Sequence, residues 1–137
     1  MAAASLTNQN ALRCVAAQYD FAVHGGAVSD IPLRVSLPKG AIVVNAFAEV
    51  LTAPTSADST ATIAIKLEAA NDIFTAAAVS GAPWSTTGMK QAIPDLATVA
   101  DYKKATVDRE ITMSIAVQAL TAGKFNVFVF YVHNTAQ

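Results

Sequence analysis

The sequence predicts an all-β fold: an antiparallel β-sandwich, jelly-roll-like, with a flexible N-terminal arm. Three observations carry this. About seven segments alternate apolar and polar residues with a period of two, the period that turns one face of a strand inward. Gly and Pro punctuate the intervals between them, and no stretch sustains the 3.6-residue apolar period of a long helix. The first dozen residues, MAAASLTNQNAL, are small and polar without a period, which predicts an arm that is disordered alone and orders on a partner. The division is 1–14 for the arm and 15–137 for one sandwich domain, a length sufficient to bury a core without disulfides or metals.

The elements follow in order. Val15, Ala17, Tyr19, Phe21 and Val23 alternate with Ala16, Gln18, Asp20 and Ala22, which predicts a strand ended by His24-Gly25-Gly26. Ile31, Leu33, Val35 and Leu37 form a second inward row, with Pro32 near the start as an edge or first residue. Pro38-Lys39-Gly40 reverses the chain, proline presetting φ and glycine supplying a positive one. In the strand from Ala41 to Thr52, Ile42, Val44, Ala46, Ala48 and Val50 share one face, and Val43, Asn45, Phe47, Glu49 and Leu51 the other. Both faces are too apolar for a freely solvated sheet, so one is expected to meet another chain or a covering loop. Ala53 to Ser59 reads as a loop. Thr60 to Glu68 is a strand with Ile63, Ile65 and Leu67 inward, and Asn71 to Val79 reads as a strand against a helical alternative. Ser80 to about Ala105 has no period and reads as a long loop around Trp84. Arg109 to Val117 alternates again, and Phe125 to Val132 is apolar on both faces, as a strand covered from both sides would be.

Composition narrows the function classes. Charged residues make up 14% of the chain, against about 25% in ordinary soluble domains. Such a surface suits a protein packed against neighbours. A net charge of −1 lacks the basic field that sequence-independent nucleic-acid binding needs. No run reaches the roughly 18 apolar residues of a membrane helix, and the N-terminus has neither the basic start nor the long apolar segment of a signal peptide. With one cysteine, Cys14, no internal disulfide forms, and a reducing cytoplasm is expected.

The Gly123-Lys124 pair is the one motif that suggests a nucleotide site. A phosphate loop needs glycine five residues earlier, a hydroxyl residue next, and a helix afterwards. Gln118 and Phe125 occupy those positions and a strand follows, so Thr121 to Lys124 reads as a hairpin turn with Gly123 at positive φ. His24 and His133 lack ligand spacing. Cys14 reads as a small apolar residue beside the first strand. The ten acids are scattered and give a paired-carboxylate hydrolase no support. Neither catalytic residues nor cofactors nor metals are predicted. Trp84 has three readings: a core or loop plug, an interface anchor of the type enriched at binding hot spots, and, more weakly, a sugar platform. The charge-dense stretch from Asp101 to Glu110 reads as a solvated loop, or as the polar rim of a subunit contact. The candidate partner contacts are Ala2, Leu6 and Leu12 on the arm, with Trp84, Tyr102 and Arg109.

The segments IPLRVSLPKGAIVVNAFAEVLT, ATIAIKLEA, GAPW, REITMSIAVQALTAGK and FNVFVFYV, spanning Ile31 to Val132, together resemble the capsid cement, or decoration, proteins of tailed bacteriophages. The resemblance implies a jelly-roll-like sandwich that assembles as a homo-dimer or homo-trimer. It also implies a non-enzymatic protein, made in the host cytoplasm, that binds the major capsid protein on the outer virion surface between capsomers and stabilises the expanded shell. Direct contact with nucleic acid or membrane is not expected. The alternative is a phage fibre, tail or lectin-like module that binds a host surface glycan through the Trp84 loop. A sandwich hydrolase ranks third.

Overall fold

The structure, a computed structural model, describes residues 12–133. Its elements are β1 (Arg13–Asp20), a helical turn α1 (Phe21–His24), β2 (Ser29–Leu37), β3 (Ala41–Ser56), β4 (Thr62–Lys66), β5 (Phe74–Ala78), β6 (Gly88–Gln91), β7 (Lys103–Lys104), β8 (Arg109–Ala116) and β9 (Leu120–His133). One sheet has the order β1-β9-β3-β6, with β7 also on β3, and the other β2-β8-β4-β5. All the ladders between named strands are antiparallel. Most connections cross from one sheet to the other, and the first strand pairs with the last. This is the strand order of a jelly roll, so the expected sandwich is the one observed.

The core lies between the sheets. Ala17 and Tyr19 of β1, Val43, Ala46, Ala48 and Val50 of β3, and Phe125, Val127 and Val129 of β9 face Leu37, Ile63, Ile65, Ile111, Met113 and Ile115 of the second sheet. Trp84, on the loop after β5, has no exposed surface. Its ring lies 5.2 Å from that of Phe74 on one sheet and 4.8 Å from that of Phe125 on the other, and Phe125 in turn contacts Tyr19 at 5.3 Å. A chain of four aromatic rings thus ties the two sheets together, and of the three readings of Trp84 the core plug is the one observed.

Several local expectations change. The first strand starts at Arg13 and stops at Asp20, not Val23, and Arg13 and Cys14 of the expected arm pair with Tyr131 and Phe130. The stop is a cap: Asp20 Oδ1 accepts from Ala22 N–H at 3.0 Å and starts α1, which leaves Val23 exposed. In β3 the register shifts between Val43 and Asn45. That bulge exchanges the faces, so the inward row is Ala41 and Val43, then Ala46, Ala48 and Val50. β3 also continues through the expected loop to Ser56.

The expected hairpin turn at Thr121 to Lys124 is strand. Gly123 does have a positive φ of 143°, but it sits inside β9 where the β3 pairing shifts around Thr52 and Thr55. A Cβ there would meet Pro54 Cα at 3.0 Å, so glycine serves a close strand approach and not a reversal. The reversal lies earlier, at Val117, whose φ is 72° and which leaves the expected inward row for solvent. The long expected loop holds β6, β7 and a 3₁₀ turn at Val99–Asp101. Pro38-Lys39-Gly40 turns as expected, with Ala41 N–H donating to Pro38 C=O at 3.0 Å.

Truncating Trp84 is expected to expose its role. Trp84→Ala should cost about 3–5 kcal/mol, and Trp84→Phe less than half of that. Phenylalanine keeps most of the ring contacts and removes a buried indole N–H that has no acceptor among the described residues. Urea titrations followed by circular dichroism measure both.

Candidate functional site

The most distinctive surface is the outer face of the first sheet. Its pairing sets three rows across four strands. Ala16, Phe128, Phe47 and Gln91 lie side by side in one row; Cys14, Phe130 and Asn45 in the next; Gln18, Asn126, Glu49 and Met89 in the third. Alternation on β9 sends Phe125, Val127 and Val129 into the core and Asn126, Phe128 and Phe130 outward. The bulge in β3 is what puts Phe47 beside them. Its ring stacks on Phe128 with a centroid distance of 4.8 Å and on Phe130 at 5.9 Å, contacts worth about 0.5–1.5 kcal/mol each.

These three rings remain partly exposed. Polar groups frame them: Gln18 Nε2 donates to Asn126 Oδ1 at 2.8 Å, and Asn45 and Glu49 flank Phe47. An apolar centre with a polar rim is the anatomy of a protein-binding surface. The sequence signal for it was the two-sided apolar character of β3 and β9, and the expectation that one face of β3 meets another chain or a loop fits this surface.

The candidate contacts are placed apart. Ala2 and Leu6 lie outside the described residues. Leu12, 61% exposed, precedes β1 at the end of the sandwich where β9 finishes. Arg109 stands at the same end, paired through β8 with Leu37, and so does Tyr102, just before the β7 pairing with Ile42 and Val43 and partly buried against the core. Trp84 is inside.

The Asp101 to Glu110 stretch is held in place by its own chemistry. Glu68, just past β4, accepts from Arg109 Nε at 2.8 Å and Nη2 at 3.1 Å, a bidentate pair, and from Thr106 N–H at 3.1 Å and the Thr106 hydroxyl. These bonds, led by those from Arg109 and then Thr106, pull the Glu68 carboxyl down to about 2, and the Arg109 guanidinium is raised by the same partner. Asp108 Oδ1 accepts from Lys39 N–H at 2.8 Å, and His133 Nε2 bonds Lys39 C=O at 2.9 Å. At the opposite end Tyr19 donates to Gly25 C=O at 2.6 Å, and burial, then the charge of Asp20, pushes its phenol up to about 12.

Among the described residues no three His, Cys, Asp or Glu side chains converge as metal ligands, and no helix is long and apolar enough to cross a membrane. Both histidines are engaged with backbone groups, and Cys14 is exposed on β1.

No protein-family model and no curated protein matches the sequence. Solved structures do match. A chain of the acidic stable capsid structure of Helicobacter pylori bacteriophage KHP30 superposes with a TM-score of 0.64 at 19% identity, covering 93% of this chain and 91% of that one. The fold is shared with chains of phage capsids. The capsid of Ralstonia phage GP4 contains a chain with a TM-score of 0.62 at 19% identity, covering 90% of this chain and 86% of that one. For the capsid asymmetric unit of cyanophage Pam1 the values are 0.61 and 21%, with coverage of 91% and 86%.

Acid should report on the Glu68 cluster. Because the folded carboxyl titrates near 2 and the free one near 4.5, its stabilisation is present above pH 4.5 and is lost as pH falls toward 2. Glu68→Gln is therefore expected to be less stable than the parent protein at pH 7, with the gap closing by pH 2. Thermal melts across that range measure the gap, and a difference independent of pH would contradict it.

Proposed function

We propose that this protein is a non-enzymatic capsid-stabilising protein of the cement type, carried on the outer surface of a phage shell and made in the host cytoplasm. The observation that carries the reading is the two-way match in length and fold to chains of three phage capsids: almost all of this chain corresponds to almost all of each of those. The partner is the major capsid protein, met without direct contact with nucleic acid, and the chain self-associates as a small homo-oligomer.

In this reading the aromatic face of the first sheet docks on the shell. Phe47, Phe128 and Phe130 supply the apolar centre, and Gln18, Asn45, Glu49 and Asn126 the rim. Residues preceding β1, with Ala2, Leu6 and Leu12, add a docking arm that reaches a neighbouring subunit. Leu12, Tyr102 and Arg109 sit where that arm leaves the sandwich, so they form its root. Many copies of a modest contact across capsomer seams sum to a strong clamp against internal pressure. The glycan-binding alternative loses its site, because the indole meant to stack on a sugar is inside the core.

Co-sedimentation with expanded, protein-stripped phage capsids tests this. Saturable binding at a fixed ratio to the major capsid protein, with a higher rupture temperature for decorated shells, is the expected result. The double variant Phe47→Ser, Phe128→Ser should bind about 10- to 100-fold more weakly. Removing residues 1–11 should lower occupancy, and unchanged occupancy would sink the role of the arm. A wild-type protein that binds no shell overturns the function.

A further inference from the structure

We infer that the open edge of β1 is a self-pairing surface, joining two copies of this chain through antiparallel β1–β1 pairing centred on Ala16. The idea rests on the self-association proposed above and specifies its surface.

The direction of the edge groups follows from two observations. Asp20 N–H donates to His24 Nδ1 at 3.1 Å, not to β9. Across β9, Ala92 N–H donates to Ala46 C=O, so Ala46 points away from its partner Val129, and Val129 turns its backbone groups to Val15 of β1, which makes the odd-numbered residues of β1 the ones bonded to β9. Both place the even-numbered residues of β1 with their backbone groups pointing away from β9. The pairing of β1 with β9 runs without a register shift from Arg13 to Asp20, so the alternation holds throughout. Cys14, Ala16 and Gln18 therefore present N–H and C=O groups along the edge, where β1 ends its sheet with β9 as its one strand neighbour among the described residues.

Edges are normally protected, and the others here are. β2 carries Pro32, a register shift between Pro32 and Ser36, and Arg34 at a φ of 64°. β6 and β7 are short and carry Lys90, Lys103 and Lys104. Beside β5, Thr75 N–H donates to Ile93 C=O at 2.8 Å. β1 has no proline, no lysine and no bulge. It has a stop instead: α1 folds back so that His24 Nδ1 accepts from the backbone N–H of Asp20 at 3.1 Å and the imidazole stands beside the edge at that residue.

That stop selects a register. With Ala16 opposite Ala16 of a second copy, Cys14 faces the second copy's Gln18 and Gln18 its Cys14. All three open residues are then hydrogen-bonded pairs, about six bonds in all. Shifting the strands by two residues in one direction brings Gln18 opposite Ala16 but Cys14 opposite the blocked Asp20. The opposite shift leaves Gln18 facing Leu12. The two-fold arrangement thus uses every open group. Its outward side chains at the centre are small, and the two first sheets join into one continuous sheet whose aromatic faces lie on the same side. A second copy is the occupant favoured by this symmetry, since a foreign strand would have no reason to match a pattern centred on Ala16.

Sedimentation equilibrium of the full chain, with three variants, tests the assignment. Wild type is expected to be a dimer. Ala16→Pro removes an outward N–H while leaving the bonds to β9 intact, and Ala16→Lys sets like charges opposite each other. Each should weaken dimerisation by roughly tenfold or more, with circular dichroism unchanged. In a Cys14→Ser background, Ala16→Cys should cross-link two copies on oxidation or with a short thiol-to-thiol reagent, because opposed Cα atoms in such a pair lie about 5.5 Å apart. A dimer that persists in both Ala16 variants and does not cross-link keeps self-association and overturns the β1 surface, as does a wild-type trimer. A monomeric wild type overturns both. Should that monomer bind capsids and Ala16→Pro abolish the binding, the occupant is a capsid strand and not a second copy.

Discussion

The insertion of β9 between β1 and β3 is the interaction on which the rest of the molecule depends. One strand supplies the core with Phe125, Val127 and Val129 and the outer face with Phe128 and Phe130. It also holds β1 in place, whose only ladder among the described residues is to β9. The partners come from opposite ends of the sequence, with Arg13 on Tyr131 and Ala41 on His133. Closing such distant segments is entropically costly, and folds built this way form slowly. What stabilises the closure is the aromatic chain from Tyr19 through Phe125 and Trp84 to Phe74, which bridges the two sheets once they meet.

The two surfaces described here share that origin. Alternation along β9 gives an inward and an outward aromatic set, and the same sheet that displays the outward set ends in the β1 edge. One surface offers rings and the other offers backbone hydrogen-bonding groups, so the two differ in chemistry. Low overall charge is common to both. Dispersed lysines would protect the edge and solvate the face; the sheet has Lys90, Lys103 and Lys104 on the far side and, among the described residues near β1, only Lys124, which is engaged with Asp20 at 3.8 Å.

Much of the architecture was legible from period alone. Ile31, Leu33 and Leu37, then Ile63, Ile65 and Leu67, then Ile111, Met113 and Ile115 are inward where alternation placed them. The failures have local causes. A bulge at Val44 is invisible in a run that is apolar on both faces, so Ile42 and Val44 were grouped with Ala46, Ala48 and Val50 although the bulge sets them on opposite faces. Asp20 reads as a polar strand position until its carboxylate is seen capping α1. The Gly-Lys pair has the composition of a turn, but its glycine answers to Pro54 across the ladder, a contact that no local pattern encodes. β6, GMKQ, has no apolar period because it is an exposed edge. The aromatic face was anticipated only as excess apolar character, since neither ring stacking nor the lateral alignment of Phe47 with Phe128 can be read before strand pairing is known.

The order in which the strands are made has its own consequence. During synthesis β1 emerges first and β9 last, and until β9 is available β1 has no ladder and Phe47 has neither Phe128 nor Phe130 beside it. Chains of this size collapse and pair only when the distant partner exists. A nascent or prematurely ended chain therefore displays neither the ring lattice nor an ordered edge. The late strand thus makes both surfaces properties of the finished sandwich.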